Sequence, residues 1–320
     1  MHDSATSMAS PEDVFIWKEV MDRPIIGFIG LGIMGRPMVR NLLSHSYQVH
    51  VYSTRQSAID DVTGDGALGA GSGRDVAKNA DVVITMVPDT PNVEAVLFGA
   101  DGVAEAGLEG KVVIDMSTIS TLATQRFAAR IAELGGAMLD APVSGGDKGA
   151  AAGTLSIMVG GDAGVFERCR PILEVLGGRV THVGGNGAGQ VVKSCNQTLA
   201  AATVAALGEA LVLGAKAGVD PAKIVEVLSG GYARCGALEI RGQAILDRDF
   251  TPGFKSALQL KDLRLAVELA QGIGVPAPLL ALVQEQYKAA QVISSGEEDH
   301  TNVLKVTEQL AGVEVRGGVQ

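Results

Sequence analysis

The sequence is poor in cysteine, histidine and aromatic residues: it has 3 cysteines, 5 histidines and 4% aromatic residues in 320 positions. Cys169, Cys195 and Cys235 are far apart and odd in number, which argues against a disulfide scaffold. They are expected to be small buried hydrophobes in a reducing cytoplasm. The histidines do not have the spacing of a metal site, so we expect no bound metal.

Concentrated positive charge is also absent. The chain has 26 Lys and Arg against 36 Asp and Glu, and no basic cluster. Since phosphate neutralisation needs concentrated basic charge, nucleic-acid binding is not expected. Residues 1–22 lack a basic start followed by an apolar core, so no signal peptide is predicted. No apolar run approaches the ~20 residues that cross a membrane, so we expect a cytoplasmic protein without membrane contact.

A glycine-rich turn follows the first apolar run. Ile25–Ile29 has the length of a buried strand, a helical pattern comes after the turn, and Gln48–Tyr52 is a second strand candidate. The turn reads Gly30-Leu31-Gly32-Ile33-Met34-Gly35. In this strand–turn–helix–strand context, Gly30 permits the tight turn, Gly32 lets the backbone approach a pyrophosphate and Gly35 lets helix and strand pack closely. The pattern predicts a Rossmann-like dinucleotide-binding domain.

The residues after the second strand bear on the choice of cofactor. NAD sites usually have Asp or Glu there to bind the ribose 2′-hydroxyl, whereas this chain has Ser53, Thr54 and Arg55. Hydroxyls and a guanidinium can bind a 2′-phosphate, so we expect NADP(H) to be preferred, with NAD(H) possible. The alternative is that Arg55 is a solvated loop residue and that both cofactors work.

Strand and helix patterns keep alternating up to about residue 185, and only helical patterns follow. The predicted fold is an α/β Rossmann-like domain, residues 23–185, after an extension, residues 1–22. An all-α domain for substrate binding and oligomerisation, residues 186–320, comes last. Open α/β sheets bind ligands beyond the carboxyl ends of their strands. Four residues lie at such predicted ends: Val87, Pro88, Thr118 and Ser144.

A long apolar helix is predicted from about Gly189 to Ala217, joining the two domains and buried over most of its surface. Lys193 and Asn196 are three residues apart near its start, so they share a face. A lysine in apolar surroundings is either a snorkelling side chain or a functional amine. Because clefts between domains are favoured ligand sites, this junction is the expected place for catalysis.

Over residues 24–312 the chain resembles the β-hydroxyacid dehydrogenases. Four motifs in order carry the resemblance: 27–35 with Met38 and 41–42; 140–146 with 153–155; 187–189 with Lys193 and Asn196; and Phe254-Lys255 with Lys261-Asp262-Leu263.

The resemblance implies hydride transfer between a nicotinamide and a small aldehyde acid. Lys193 would be the general acid or base and Asn196 a substrate contact. Ser144, Gly145 and Gly146 would hold the substrate carboxylate. Further contacts to cofactor or substrate are implied at Thr118, Asn92, Phe254 and Lys261.

Within the family, Gln197 and the ending 312–315 are most similar to the members that reduce tartronate semialdehyde. Two alternatives stay open. One is an enzyme for 3-hydroxyisobutyrate or a short ω-semialdehyde acid, such as succinic or methylmalonic semialdehyde. The other is an NADP-binding interaction module without catalysis. Family members form homodimers and homotetramers, so a homo-oligomer is expected.

Overall fold

A computed structural model describes residues 23–318, so the predicted extension, residues 1–22, lies outside the described part of the chain. A nine-stranded sheet forms its first half, in the order β3-β2-β1-β4-β5-β6-β8-β7, with β9 paired to β8. The strands are β1 Ile26–Ile29, β2 Val49–Tyr52, β3 Leu68–Gly69, β4 Val82–Thr85, β5 Val112–Asp115, β6 Ala137–Asp140, β7 Val143–Ser144, β8 Ser156–Gly160 and β9 Arg179–Gly184.

Strands β1 to β6 pair in parallel, β8 runs antiparallel to β6 and β7, and β9 runs parallel to β8. Strands β1, β4 and β5 are fully buried and apolar except for Thr85 and Asp115 at their ends, as in a parallel sheet covered by helices on both faces. The helices of this half are α1 Gly35–Ser44, α2 Gln56–Thr63, α3 Gly73–Lys78, α4 Thr90–Phe98, α5 Thr121–Glu133, α6 Gly146–Ala152 and α7 Ala163–Leu176.

The regular elements beyond β9 are helices, with one 3₁₀ turn at His300–Val303. They are α8 Ala188–Lys216, α9 Pro221–Gly230, α10 Gly236–Leu246, α11 Ser256–Gly272, α12 Pro278–Ile293 and α13 Leu304–Ala311. Helix α8 packs on α11, α12 and α13 and, near its start, on β8 and β9. The architecture is therefore the predicted Rossmann-like domain followed by a helical one, with α8 between them.

Helix α8 is less buried than the sequence predicted. Leu199 is 71% exposed and Leu213 is 73% exposed, because the helices packed on α8, from α9 to α13, cover only part of its circumference. The expectation of three buried cysteines is likewise wrong for Cys195, which is exposed, and for Cys235, which is half-buried; only Cys169 is buried.

By length and composition alone, α8 is long and apolar enough to cross a membrane, so the expectation that no apolar run approaches that length is wrong. One such helix is weak evidence of a membrane span, because the core helices of soluble proteins have the same properties.

Candidate active site

The glycine turn between β1 and α1 has three glycines with different surroundings. Gly30 has φ +108°, and a Cβ there would lie 2.2 Å from the Met86 carbonyl oxygen. A Cβ on Gly35 would lie 1.9 Å from the Gly30 carbonyl oxygen. A Cβ on Gly32 would meet nothing within 4 Å. Gly30 and Gly35 therefore serve the packing of the turn, whereas Gly32 faces open space at the start of a helix.

The start of α1 suits a pyrophosphate. Its N-cap residue, Met34, makes no side-chain capping bond, so no side chain competes for the first backbone N–H groups. These groups and the helix dipole favour an anion. Together with the open space at Gly32, this start fits a dinucleotide held through its phosphates.

The loop after β2 lies beside this turn. Arg55 Nη2 donates a hydrogen bond to the Leu31 carbonyl oxygen at 3.4 Å, and Arg55 N donates to Ser53 Oγ at 3.4 Å. Thr54 and Arg55 are exposed and Ser53 is half-buried. The loop thus brings two hydroxyls and a guanidinium to the turn, where a nucleotide ribose would lie.

The ends of β4 and β5 form the next part of the same sheet edge. Val87 N donates to Ser117 Oγ at 3.0 Å and joins the two strand ends. Pro88 is exposed, and Asn92 is exposed on α4, the helix that follows. Thr118 is half-buried one residue beyond Ser117. The predicted cofactor contacts of this group therefore lie along one edge, as the parallel topology requires.

Two buried polar residues fix the start of α8 to that edge. Asp140, at the end of β6, accepts hydrogen bonds from Gly187 N at 2.7 Å and Gln190 N at 3.1 Å. The Gln190 side chain accepts from Ile119 N at 3.2 Å and donates to the Ser117 carbonyl oxygen at 2.8 Å. Sequence reasoning assigned no role to Asp140 or Gln190, although polar residues in such apolar surroundings are a signal of internal hydrogen bonding.

Lys193, one turn into α8, is 6% exposed. Its ammonium donates to the Val143 carbonyl oxygen at 2.7 Å, which places it beside Ser144. Burial lowers the pKa of Lys193, the nearby Asp262 carboxylate opposes that shift, and the Lys261 charge adds to it. The site thus holds a buried amine whose neutral form is favoured relative to an ordinary lysine.

The glycine segment after Ser144 has an unusual backbone. Gly145 has φ +136° and Gly146 has φ +64°, conformations that side chains rarely adopt. A Cβ on Gly146 would have the Gly253 carbonyl oxygen as its nearest atom, at 3.6 Å. Ser144, Gly145 and Gly146 therefore lie between Lys193 and the loop that carries Phe254.

That loop is held by Asp299, which is 1% exposed. Its Oδ2 accepts from Gly253 N at 3.0 Å and Phe254 N at 3.2 Å, and it pairs with Arg241 Nη2 at 3.1 Å. The Phe254 ring makes an edge contact with His300, with centroids 5.8 Å apart. Neither Asp299 nor Arg241 was predicted from the sequence, and Asp299 lies 45 positions from Phe254 in the chain.

Residues of α11 close the other side of the site. Lys261 Nζ donates to the Thr118 carbonyl oxygen at 2.5 Å and lies 2.8 Å from Asp262 Oδ1. Gln197 Nε2 donates to Asp262 Oδ2 at 2.6 Å, and Asn196 Nδ2 donates to Gln197 Oε1 at 2.8 Å. A chain of polar contacts therefore runs from the end of β5 through α11 to Asn196 on α8.

The assembled site can exchange a proton in a water-poor environment. The buried Lys193 amine can give or take a proton, and Ser144, Asn196 and Lys261 surround it with further polar groups. A nucleotide on the glycine turn would extend along the same sheet edge toward Thr118. This arrangement suits proton transfer coupled to the chemistry of a bound dinucleotide.

Comparison with known families accounts for nearly the whole described chain. Residues 25–184 match the model of the NAD-binding domain of 6-phosphogluconate dehydrogenase. Residues 187–307 match the model described as NAD-binding of NADP-dependent 3-hydroxyisobutyrate dehydrogenase. The two matches meet between β9 and α8.

Individual proteins are similar over most of their length. The 2-hydroxy-3-oxopropionate reductase of Escherichia coli (strain K12) is 46% identical over 286 residues, covering 89% of this chain and 98% of the reductase. Mycobacterium tuberculosis 3-hydroxyisobutyrate dehydrogenase, solved with L-serine, superposes with a TM-score of 0.82 at 34% identity, covering 88% of this chain and 98% of that one. Psf3, solved with NADP+ and 2-OPP, gives 0.80 at 28% identity, covering 88% and 99%.

Proposed function

Since this chain belongs to the β-hydroxyacid dehydrogenase family related to 3-hydroxyisobutyrate dehydrogenase, we propose that it reduces tartronate semialdehyde to glycerate with NADPH. As a member of this family, the protein is an oxidoreductase that acts on the CH–OH group of hydroxy acids and uses a nicotinamide dinucleotide. The 46% identity to a 2-hydroxy-3-oxopropionate reductase supports this particular substrate.

The observation that carries the proposal is the buried Lys193 amine with its lowered pKa. When bound, the nicotinamide supplies the hydride to the substrate carbonyl carbon. The growing charge on the carbonyl oxygen takes a proton from Lys193 Nζ, which burial makes a better acid than an ordinary lysine. In the opposite direction the neutral amine takes the hydroxyl proton. Val143 holds Nζ in place through its carbonyl oxygen.

The remaining residues hold and orient the substrate. Ser144 and the backbone of Gly145 and Gly146 lie next to Lys193 and bind the carboxylate, since glycine permits close backbone approach. Asn196 bonds a substrate oxygen, and Thr118 contacts nicotinamide or substrate. Phe254 and Lys261 come from the helical half and close over the cofactor side.

The preference for NADPH rests on the loop after β2. Ser53, Thr54 and Arg55 would hold the 2′-phosphate, and Arg55 is fixed over the glycine turn by its bond to Leu31. Arg55→Ala should lower kcat/KM for NADPH by about tenfold or more and leave kcat/KM for NADH unchanged. Only NADPH carries the 2′-phosphate, so only NADPH loses a charge-assisted hydrogen bond to Arg55. Arg170→Ala, which removes a half-buried arginine on α7, is the matched control. Wild-type efficiency with NADH equal to that with NADPH would refute the preference.

The substrate is tested by following NADPH absorbance with tartronate, methylmalonate, malonate and succinate semialdehydes, and with none. We expect the highest kcat/KM with tartronate semialdehyde, at least ~100-fold above methylmalonate semialdehyde, because a site that bonds a hydroxyl leaves polar groups unpaired when the hydroxyl is missing. Equal or higher efficiency with methylmalonate semialdehyde would indicate a 3-hydroxyisobutyrate dehydrogenase. Failure to reduce any of the four would contradict the proposal.

We also propose residues 23–185 and 186–320 as the two domains, a cytoplasmic location, and a homodimer or homotetramer. The exposed apolar residues Leu199 and Leu213 on α8 support association through the helical domain. Light scattering of the purified protein measures the state of association, and a monomer at all concentrations would contradict it.

A further inference from the structure

Gln197 is a buried amide with both ends bound. It is 5% exposed, and its partner Asp262 is 3% exposed. Gln197 Nε2 donates to Asp262 Oδ2 at 2.6 Å, while Oε1 accepts from Asn196 Nδ2 at 2.8 Å. The three side chains thus form a short relay from α11 to the face of α8 that carries Lys193.

The Asp262 carboxylate determines which group donates and which accepts in each hydrogen bond of this relay. An ionised carboxylate only accepts hydrogen bonds, so the Gln197 group next to Asp262 must be the NH₂. Gln197 Oε1 therefore points away from Asp262 and needs a donor. The amide of Asn196 meets this need with its own NH₂, because its carbonyl oxygen would oppose another acceptor.

The charge of Asp262 is itself held in place. Lys261 Nζ lies 2.8 Å from Asp262 Oδ1 and donates to the Thr118 carbonyl oxygen at 2.5 Å. Lys261 thus lies against one oxygen of this buried carboxylate, and the Gln197 amide donates to the other. The orientation of Gln197 is therefore set by a fixed charge.

We propose that Gln197 is a positioning and specificity residue that orients Asn196 with its Oδ1 as the acceptor for a hydroxyl group of the substrate. This inference rests on the proposed function, in which Asn196 contacts substrate. An acceptor at this position favours substrates that carry an O–H next to the reacting carbon. It gives no such bond to analogues with a methyl or hydrogen there, so the relay selects hydroxylated aldehyde acids.

The test compares kcat/KM for tartronate semialdehyde with kcat/KM for methylmalonate semialdehyde, both with NADPH. In Gln197→Met the side chain keeps its length but loses both hydrogen bonds, and Asn196 is free to turn its amide. We expect the ratio of the two efficiencies to fall by about tenfold or more, through loss on the hydroxylated substrate alone. A merely structural role for Gln197 would lower both efficiencies together.

Three further variants sharpen the result. The double variant Gln197→Glu with Asp262→Asn restores a donor at 262 and an acceptor toward Asn196, and we expect it to recover the ratio. In Gln197→Asn the side chain is one methylene too short to bridge both partners. This variant replaces Gln197→Met in the test if Gln197→Met does not fold. Gln259→Met removes a different buried amide, on α11 instead of α8, and is the matched control, for which the ratio should not change.

The outcomes separate the two proposals. A wild-type protein that does not prefer tartronate semialdehyde contradicts the proposed function. The proposed function stands if the wild-type protein prefers tartronate semialdehyde. The role of Gln197 is then overturned if Gln197→Met keeps the wild-type ratio of efficiencies or loses both activities equally. Loss of the ratio in Gln197→Met with recovery in the double variant supports both.

Discussion

Lys193 Nζ donates a hydrogen bond to the carbonyl oxygen of Val143 at 2.7 Å. The bond crosses from α8 to β7, and it holds the amine beside Ser144 although Lys193 is buried. A buried ammonium needs such a partner, because removing a charge from water is costly. The position of the proposed acid therefore depends on a backbone group of the other domain.

Replacing that amine tests its role in proton transfer. Lys193→Ala should lower kcat by at least ~10²-fold, the usual worth of acid–base catalysis. The dissociation constant for NADPH, measured by fluorescence titration, should stay near the wild-type value. The glycine turn follows β1, which is separated in the sheet from β7, the strand that Lys193 contacts. Lys216→Ala on the exposed end of α8 is the matched control. Near-normal turnover in Lys193→Ala would overturn the assignment.

The direction of the Lys193 shift predicts opposite pH profiles for the two reactions. Reduction needs the charged amine, so its kcat falls as pH rises through the pKa of Lys193. Oxidation of glycerate needs the neutral amine, so its kcat rises with pH through the same pKa. Since burial lowers that pKa, both transitions should lie below the ordinary lysine value of about 10.4. Transitions at or above that value in both directions would contradict this.

Alanine substitutions at two glycines of the turn should affect different properties, the stability of the fold at Gly35 and cofactor binding at Gly32. Gly35→Ala places a Cβ 1.9 Å from the Gly30 carbonyl oxygen and should destabilise the protein by about 1–3 kcal/mol or more. Gly32→Ala meets no protein atom within 4 Å, so its melting temperature should match the wild type while its affinity for NADPH falls. Thermal unfolding and cofactor titration of both variants measure this. Undiminished NADPH affinity in Gly32→Ala would contradict a phosphate site there.

Asp115 should give the folded protein a stability that depends on pH. It is fully buried, and burial raises its pKa from the ordinary value to about 6, while hydrogen bonds from Ser117 and Thr85 oppose the shift. Between about pH 4 and 6 the folded state therefore binds more protons than the unfolded state. Its free energy of unfolding falls as pH rises through this window, by about 3 kcal/mol for a shift of this size.

Asp115→Asn removes the titrating group and should lack this fall, as measured by urea unfolding at pH 4 and pH 7. Asp60→Asn, an exposed position on α2, is the control and should retain it. The same pH dependence in Asp115→Asn and the wild type would show that the protons are taken up elsewhere.

Local sequence patterns were sufficient for the fold class. Strand β1, the turn 30–35 and helix α1 follow directly from an apolar run, three glycines and a helical repeat, because each depends on neighbours in the chain. The helix that carries Lys193 was placed within one residue at each end, at Ala188–Lys216. The placement of Lys193 and Asn196 near its start needed no tertiary information.

The chain by itself thus determined the two-part architecture and the proposed amine, because backbone period and side-chain spacing are local properties. Only the tertiary structure decided which polar groups meet: Asp262 reaches Gln197 across 65 positions, and Asp140 reaches Gln190 across 50. It also decided that Leu199 is exposed, since burial of a helix face depends on what packs against it. Such contacts arise from the path of the whole chain, and no local pattern encodes them.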